Sequence, residues 1–465
     1  MRECPEYPLV PVYEEFLADT MTPVTVFERL CGPDEPGFLL ESVPVTGDVG
    51  RYSYIGHRPV PLTLPAGDPL TTLRSLAAQR IAPVPGLPPF LGGAVGYLGW
   101  ETARHFERLP EAEGPAPGLP EAAFLSVEDL AVFDHATRRL ILLTVHRPAQ
   151  ESYQDALDRV ARMRERLANP VPQRPVVSLC PAQGDLLDGW RSNVTQEEFE
   201  ARVERAREYI AAGDAFQIVL SQRFTKQLTA DPLDLYRHLR AVNPSPYMYH
   251  LSLGGGRHIV GCSPELLVKA TGKRIETRPL AGTRARGKDI DADLALEREL
   301  LADEKECAEH VMLVDLGRHD LGRVAAPGSV RVEKLMEIER FSHVMHISST
   351  VAGELAGNAD GLDALRSTFP AGTLSGAPKI RAMEIIAELE PERRGVYGGA
   401  LGFVGYDGAA DLAIALRTMV VADGKVHVQS GAGVVADSDA TAEYQETLHK
   451  ARAMFTAVRQ AEAVR

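Results

Sequence analysis

Among 465 residues there are only five cysteines, at positions 4, 31, 180, 262 and 307. They are scattered, odd in number and never spaced Cys-x-x-Cys, which argues against a disulfide framework and a zinc site. No apolar run reaches the ~18–20 residues that cross a bilayer. The opening residues, Met1-Arg2-Glu3-Cys4-Pro5-Glu6-Tyr7, lack the apolar core of a secretory leader. These absences predict a reduced, cytoplasmic protein. Clustered Lys or Arg is also missing: 50 basic residues face 64 acidic ones, for a formal net charge of −14. A surface of that sign repels nucleic acid and anionic lipid, so neither nucleic acid nor a membrane is an expected partner. A small anionic substrate is still allowed, because a carboxylate-held Mg²⁺ reverses the local sign in a closed site.

What is present is globular: 45% hydrophobic and 25% charged residues. Pro-rich stretches at 81–89 and 110–120 cannot be helix or central strand. A third, 169–185, follows a charged helix over 151–168 and carries Pro170, Pro172, Pro175, Pro181 and Gly184. It divides the chain into expected domains 1–168 and 190–465. Thr195-Gln-Glu-Glu198 is a capping-box pattern opening a helix to about residue 212. Strands are expected at 216–224, 247–253, 258–270, 330–341, 343–354, 396–406, 411–421 and 425–430, and helices at 234–242, 291–315, 361–369, 378–390 and 439–460. Asp423-Gly424 marks a tight hairpin, and Pro378 suits a first helical turn. The order predicts an α+β fold, with antiparallel sheets as a sandwich-like core and helices outside. Gly92-Gly-Ala-Val-Gly-Tyr-Leu-Gly-Trp100 echoes Gly398-Gly-Ala-Leu-Gly-Phe-Val-Gly-Tyr406, consistent with two related halves or with two similar Gly-rich strands.

Two acidic constellations fall on expected helices. Glu306 and Glu309 share a face at i, i+3; Glu443, Glu446 and Lys450 share another. Each is either a solvated face or a hard-cation site, since Mg²⁺ needs only one or two carboxylates beside substrate and water. Arg278-Pro-Leu-Ala-Gly282-Thr283-Arg-Ala-Arg-Gly287 is a basic loop whose N–H groups could bind a carboxylate. Gly431-Ala432-Gly433-Val-Val-Ala436 fits a dinucleotide pattern but follows a hairpin strand rather than a βαβ unit. A Gly-rich turn before a helix can equally hold a carboxylate. Phe369-Pro-Ala-Gly-Thr373-Leu-Ser-Gly-Ala-Pro-Lys379 is a small-residue loop, and His346 lies in a strand-like run.

In order along the chain, Phe216-Gln-Ile-Val-Leu-Ser-Gln, Ser263-Pro-Glu265, Arg278-Pro-Leu-Ala-Gly-Thr, Asp303-Glu-Lys-Glu through Leu316-Gly-Arg, Val344-Met-His, Pro370-Ala-Gly-Thr-Leu-Ser-Gly-Ala-Pro-Lys, Tyr397-Gly-Gly-Ala and Gly431-Ala-Gly-Val-Val-Ala-Asp-Ser through Glu446-Thr resemble the motifs of the chorismate-utilising enzymes. The resemblance spans nearly all of 190–460, with Leu39-Leu-Glu-Ser42 adding the first part, and is closest to the large subunits (component I) of anthranilate synthases. It implies Mg²⁺ on Glu309 and Glu446, Glu306 as acid for a leaving hydroxyl, His346 for proton handling and Thr373 lining the site. Gly282, Thr283, Tyr397, Arg417, Gly431, Ala432, Gly433 and Lys450 would bind chorismate.

Gln217 stands where isochorismate and salicylate synthases carry a water-activating Lys, and Ala281 where aminodeoxychorismate synthases carry Lys. Both point to ammonia addition yielding anthranilate. Aminodeoxychorismate synthesis and a non-catalytic chorismate-binding paralogue are the alternatives. No amidotransferase follows Arg465, so a separate glutaminase subunit in a hetero-oligomer is expected. Ser42 with Pro246, Tyr247 and Met248 would form a tryptophan feedback site. His319 and Cys307 depart from the Asn and Arg usual in the family.

Overall fold

The computed structural model describes residues 7–42, 50–112, 114–170, 174–177, 184–341 and 344–463. Cys4, Cys180, Pro172 and Pro181 lie outside the described residues.

Two antiparallel sheets form the core. The larger has twelve strands and runs from Val10–Leu17 through Arg139–His146, Asp129–Asp134, Tyr52–His57 and Gly37–Glu41 to Tyr247–Gly254, Arg257–Ser263, Thr418–Ala422, Lys425–Val434 and Gln217–Gln227. The ten-stranded sheet runs from Leu280–Ala285 through Val344–Glu354, Arg274–Thr277, Leu266–Thr271, Ala410–Ile414 and Ala400–Gly405 to Gly93–Leu98, Ala122–Val127 and Val60–Pro61. Each sheet therefore takes strands from both sides of the Pro-rich 169–185 stretch. The joints are Gly37–Glu41 against Tyr247–Gly254 and Gly93–Leu98 against Ala400–Gly405.

Strand alternation sorts the core into two layers. Phe38, Tyr54, Leu130 and Val132 pack between the sheets with Val95, Leu401 and Leu412. Their neighbours Leu39, Ile55 and Ala131 point outward under Phe27, Val160, Leu235 and Met454. Those four come from the helices Pro23–Leu30, Tyr153–Leu167, Pro232–Val242 and Ala440–Ala463. The two echoing glycine runs lie side by side, Gly96 registered with Gly402 and Val95 with Phe403. Phe403 stacks on Phe90 with ring centroids 4.4 Å apart.

Several elements differ from expectation for identifiable reasons. The 258–270 strand is two, Arg257–Ser263 and Leu266–Thr271, because Pro264 cannot donate to a ladder and the chain changes sheets there. The 411–421 strand likewise breaks into Ala410–Ile414 and Thr418–Ala422 around Arg417, whose φ is +46°. The 291–315 helix is two, Ile290–Ala302 and Glu304–Gly322. Asp303 ends the first and caps the second, accepting from the N–H groups of Lys305 and Glu306. The basic 278–287 segment is largely strand, Leu280–Ala285, and the Gly431–Gly433 run lies inside the strand Lys425–Val434 rather than in a turn. Pro378 is the N-cap of Lys379–Leu389, not its first turn. The capping box at Thr195 and the Asp423-Gly424 hairpin, both residues at positive φ, are as expected.

Candidate active site

The helix Glu304–Gly322 packs against the strands Leu280–Ala285 and Val344–Glu354. Its first turns carry Glu306 and Glu309. Glu309 Oε1 accepts from the Gln217 side-chain amide at 2.8 Å. A Cβ built on Gly433 would lie 2.8 Å from that same amide nitrogen, so any larger residue there would displace the Gln217 amide. On the other side, Lys450 Nζ donates to the Gly431 carbonyl at 3.0 Å and pairs with Glu446 at 2.6 Å. The Tyr397 hydroxyl also lies over Gly431, 2.9 Å from where a Cβ would stand. Glu309 and Glu446, about 140 residues apart in sequence, are each tied to the Gly431-Ala432-Gly433 run. Lys305 and Asp437 add an exposed ion pair at 3.2 Å between the helix Glu304–Gly322 and the turn before Ala440–Ala463.

These carboxylates suit a hard cation. Burial pushes the Glu306 carboxyl above its usual range, and the neighbouring charge of Glu309 adds to the push against the pull of Arg284. Glu443 is raised the same way, by burial first and by Glu446. Among the described residues no group of three or more His, Cys, Asp or Glu could hold an ion unaided. Mg²⁺ does not require one, since it keeps several waters and takes substrate oxygens.

Opposite this acidic face stands His346. The backbone register slips between Ala281 and Thr283, with Gly282 at φ +68°, and this bulge sets Thr283 opposite His346. Thr283 Oγ1 and the Gly282 carbonyl each lie 3.0 Å from His346 Nδ1. A carbonyl only accepts, so the network assigns the hydrogen to Nδ1 and leaves Nε2 a bare acceptor. Nε2 is buried without a partner among the described residues. Burial first, then Arg417, lowers the imidazole pKa to about 4.

Glu265, the end of the Ser263-Pro-Glu265 motif, carries no role that the sequence alone assigns. It is 5% exposed. Its carboxyl accepts from Thr373 Oγ1 at 3.3 Å and from the Leu280 N–H at 3.5 Å. Burial pushes its pKa up to about 8. A lone acidic residue in an apolar run, next to Pro264, is the available signal. Arg417 is half-buried, its guanidinium without a hydrogen bond or ion pair among the described residues, and lost hydration lowers its pKa. A non-glycine residue held at positive φ is uncommon and is characteristic of functional sites.

The second expected site is brought together in part. Met248 is registered with Glu41, so Ser42 follows one step beyond that pair, beside Tyr247. Pro246 and Met248 are buried. Strand alternation sends the two side chains to opposite faces. Met248 points into the helix-covered core, whereas the Tyr247 phenol, raised by burial, lies near Asp411 and Arg278. His319 is 76% exposed, its nearest charge Asp315 at 3.7 Å, and Cys307 Sγ faces the Leu301 carbonyl. No helix among the described residues is long and apolar enough to cross a membrane.

A family model described as "chorismate binding enzyme" matches residues 44–456. The chain is 69% identical to anthranilate synthase component 1 of Streptomyces coelicolor, over 98% of this chain and 90% of that protein. It is 47% identical to the protein of the same name in Thermus thermophilus, over 97% and 98%. Among solved structures, anthranilate synthase component I of Streptococcus pneumoniae superposes with a TM-score of 0.80 at 37% identity, over 94% of this chain and 98% of that one. A menaquinone-specific isochorismate synthase of Escherichia coli shares the fold, with a TM-score of 0.74 at 19% identity, over 97% and 95%. The chain belongs to the chorismate-binding enzyme family, among the component 1 chains of anthranilate synthase.

Proposed function

We propose that this chain, in the cytoplasm, converts chorismate and ammonia to anthranilate, pyruvate and water, with ammonia supplied by a glutaminase subunit and turnover inhibited by tryptophan. Gln217 carries the choice of nucleophile. Its neutral amide is spent on Glu309 and cannot serve as a base, so water is not activated there, whereas ammonia arrives ready to attack.

Ammonia adds at ring C2 and the C4 hydroxyl departs with a proton. The enolpyruvyl group then leaves as pyruvate and the ring becomes aromatic. Arg417, unpaired and forked, suits a bidentate clamp on a substrate carboxylate. Tyr397, Thr283 and the Gly431–Gly433 backbone line the remaining polar contacts. Glu309 and Glu446 would hold Mg²⁺, which when bound neutralises the ring carboxylate and draws charge from the ring. A leaving hydroxyl needs a proton donor that is still protonated near neutral pH. Glu265, with a pKa of about 8 and a hydrogen bond from Thr373, suits that role better than Glu306, which faces Arg284 at 3.2 Å. His346 Nε2 is the bare acceptor for the proton lost in elimination.

The test is an assay of the purified chain with chorismate, Mg²⁺ and either ammonium or glutamine, with product identified by fluorescence and mass. Anthranilate from ammonium alone is expected. Aminodeoxychorismate as the product, or no product, would reject the proposal.

A further inference from the structure

Behind the proposed chorismate site lies a buried guanidinium. The Arg394 side chain is 1% exposed. Its Nε donates to Glu390 Oε2 at 2.8 Å, Nη1 to the Leu374 carbonyl at 2.8 Å, and Nη2 to the Val219 carbonyl at 2.7 Å and Glu390 Oε1 at 2.6 Å. Its flat face lies 4.2 Å from the Trp100 ring centroid and 5.7 Å from that of Tyr397.

Each partner adjoins a residue of the cleft. Leu374 follows Thr373. Val219 is two residues from Gln217 and registered with Gly433. Glu390 Oε1 also accepts from the Ser221 N–H at 2.8 Å and hydroxyl at 2.9 Å, and Ser221 is registered with Gly431. Behind Arg394, Glu101 from the first part of the chain accepts from the Arg394 and Gly395 N–H groups at 2.7 and 3.1 Å.

Net stability does not account for this pair, because replacing a buried ion pair by apolar groups is often neutral or stabilising. Direction does account for it: a rigid guanidinium fork fixes several acceptors in one plane, which an ammonium cannot. We infer that Arg394 is a positioning residue, which holds the Thr373 segment, the Gln217 strand and Tyr397 in mutual register for chorismate. The inference rests on the proposed chorismate site.

The experiment compares wild type with Arg394→Lys and Glu390→Gln, measuring folded fraction by circular dichroism and KM for chorismate and ammonia separately. For the folded variants the expected result is a chorismate KM raised at least about tenfold, with the ammonia KM within about twofold of wild type. Arg394→Ala should regain chorismate affinity in millimolar guanidinium. Unchanged chorismate KM, with turnover lowered only in proportion to folded protein, would overturn the inference. If Arg394→Lys fails to fold, Glu390→Gln, which keeps the shape and the Ser221 acceptor, decides by the same criterion. Wild-type anthranilate formation is the control: its absence rejects the proposed function, whereas its presence beside unchanged KM values rejects only the role of Arg394.

Discussion

Gln217 donates its amide N–H to Glu309 across 2.8 Å, so the strand Gln217–Gln227 holds one carboxylate of the proposed cation site. Removing that charge should be costly. Glu309→Gln and Glu446→Gln keep size and lose charge, and loss even of a group that only supports a ligand costs roughly 10–100-fold. Both variants are expected to lose at least that much activity at limiting Mg²⁺ and to recover partly in excess. Near-normal activity at low Mg²⁺ in either would remove it from the metal site.

Glu265 gives a pH dependence with a definite sign. A proton donor with a pKa of about 8 is active below that value and inactive above it. Free ammonia becomes more abundant in the opposite direction. At saturating ammonia, turnover should therefore decline as pH rises through about 8, and Glu265→Gln should be slower by roughly 10²–10⁴-fold with no alkaline limb. A Glu265→Gln enzyme that retained the wild-type profile would assign the proton to another group.

Ser42 tests feedback. Because Glu41 is registered with Met248, a bulky side chain at position 42 enters the space between the first and second parts of the chain. Ser42→Phe is expected to keep turnover and abolish tryptophan inhibition. In wild type, tryptophan should raise the chorismate requirement by about 5–150-fold, the usual range of coupling between sites. Equal inhibition of both proteins by tryptophan in a chorismate titration excludes Ser42.

Buried imidazoles set the acid stability. Burial lowers the pKa of His57, His310, His346 and His427 to about 4 and of His250 to about 3. Between those values and about 6.5 the unfolded chain binds more protons, so stability is full above about 6.5 and falls as pH drops. The slope is at most about 1.4 kcal/mol per pH unit for each histidine. A thermal melt should show a lower Tm near pH 5 than near pH 7.5; a flat Tm over that interval contradicts these shifts.

Local chemistry made much of this legible. Thr195 and Asp423-Gly424 act within a few residues, and the structure follows them. The paired glutamates are legible as helix faces, but the contacts that tie Glu309 to Gln217 and Lys450 to Gly431 come from two adjoining strands of one sheet. The breaks at Pro264 and Arg417 were not visible because each is a change of sheet, decided by packing rather than propensity. Glu265 escaped notice for a related reason: one acidic residue in an apolar run has no spacing to read, and its character comes from the burial that the fold imposes.

The register of Gly96 with Gly402 has a bearing on synthesis as well as shape. Strands from the first hundred residues complete both of their sheets only against partners at 247–254 and 400–405. Loop closure over some 200–300 residues is slow compared with hairpin formation. A ribosome will therefore have released most of this chain before either sandwich layer closes. During that interval Phe38, Tyr54 and Val95 are uncovered, and a nascent N-terminal fragment should depend on chaperones far more than the finished enzyme does.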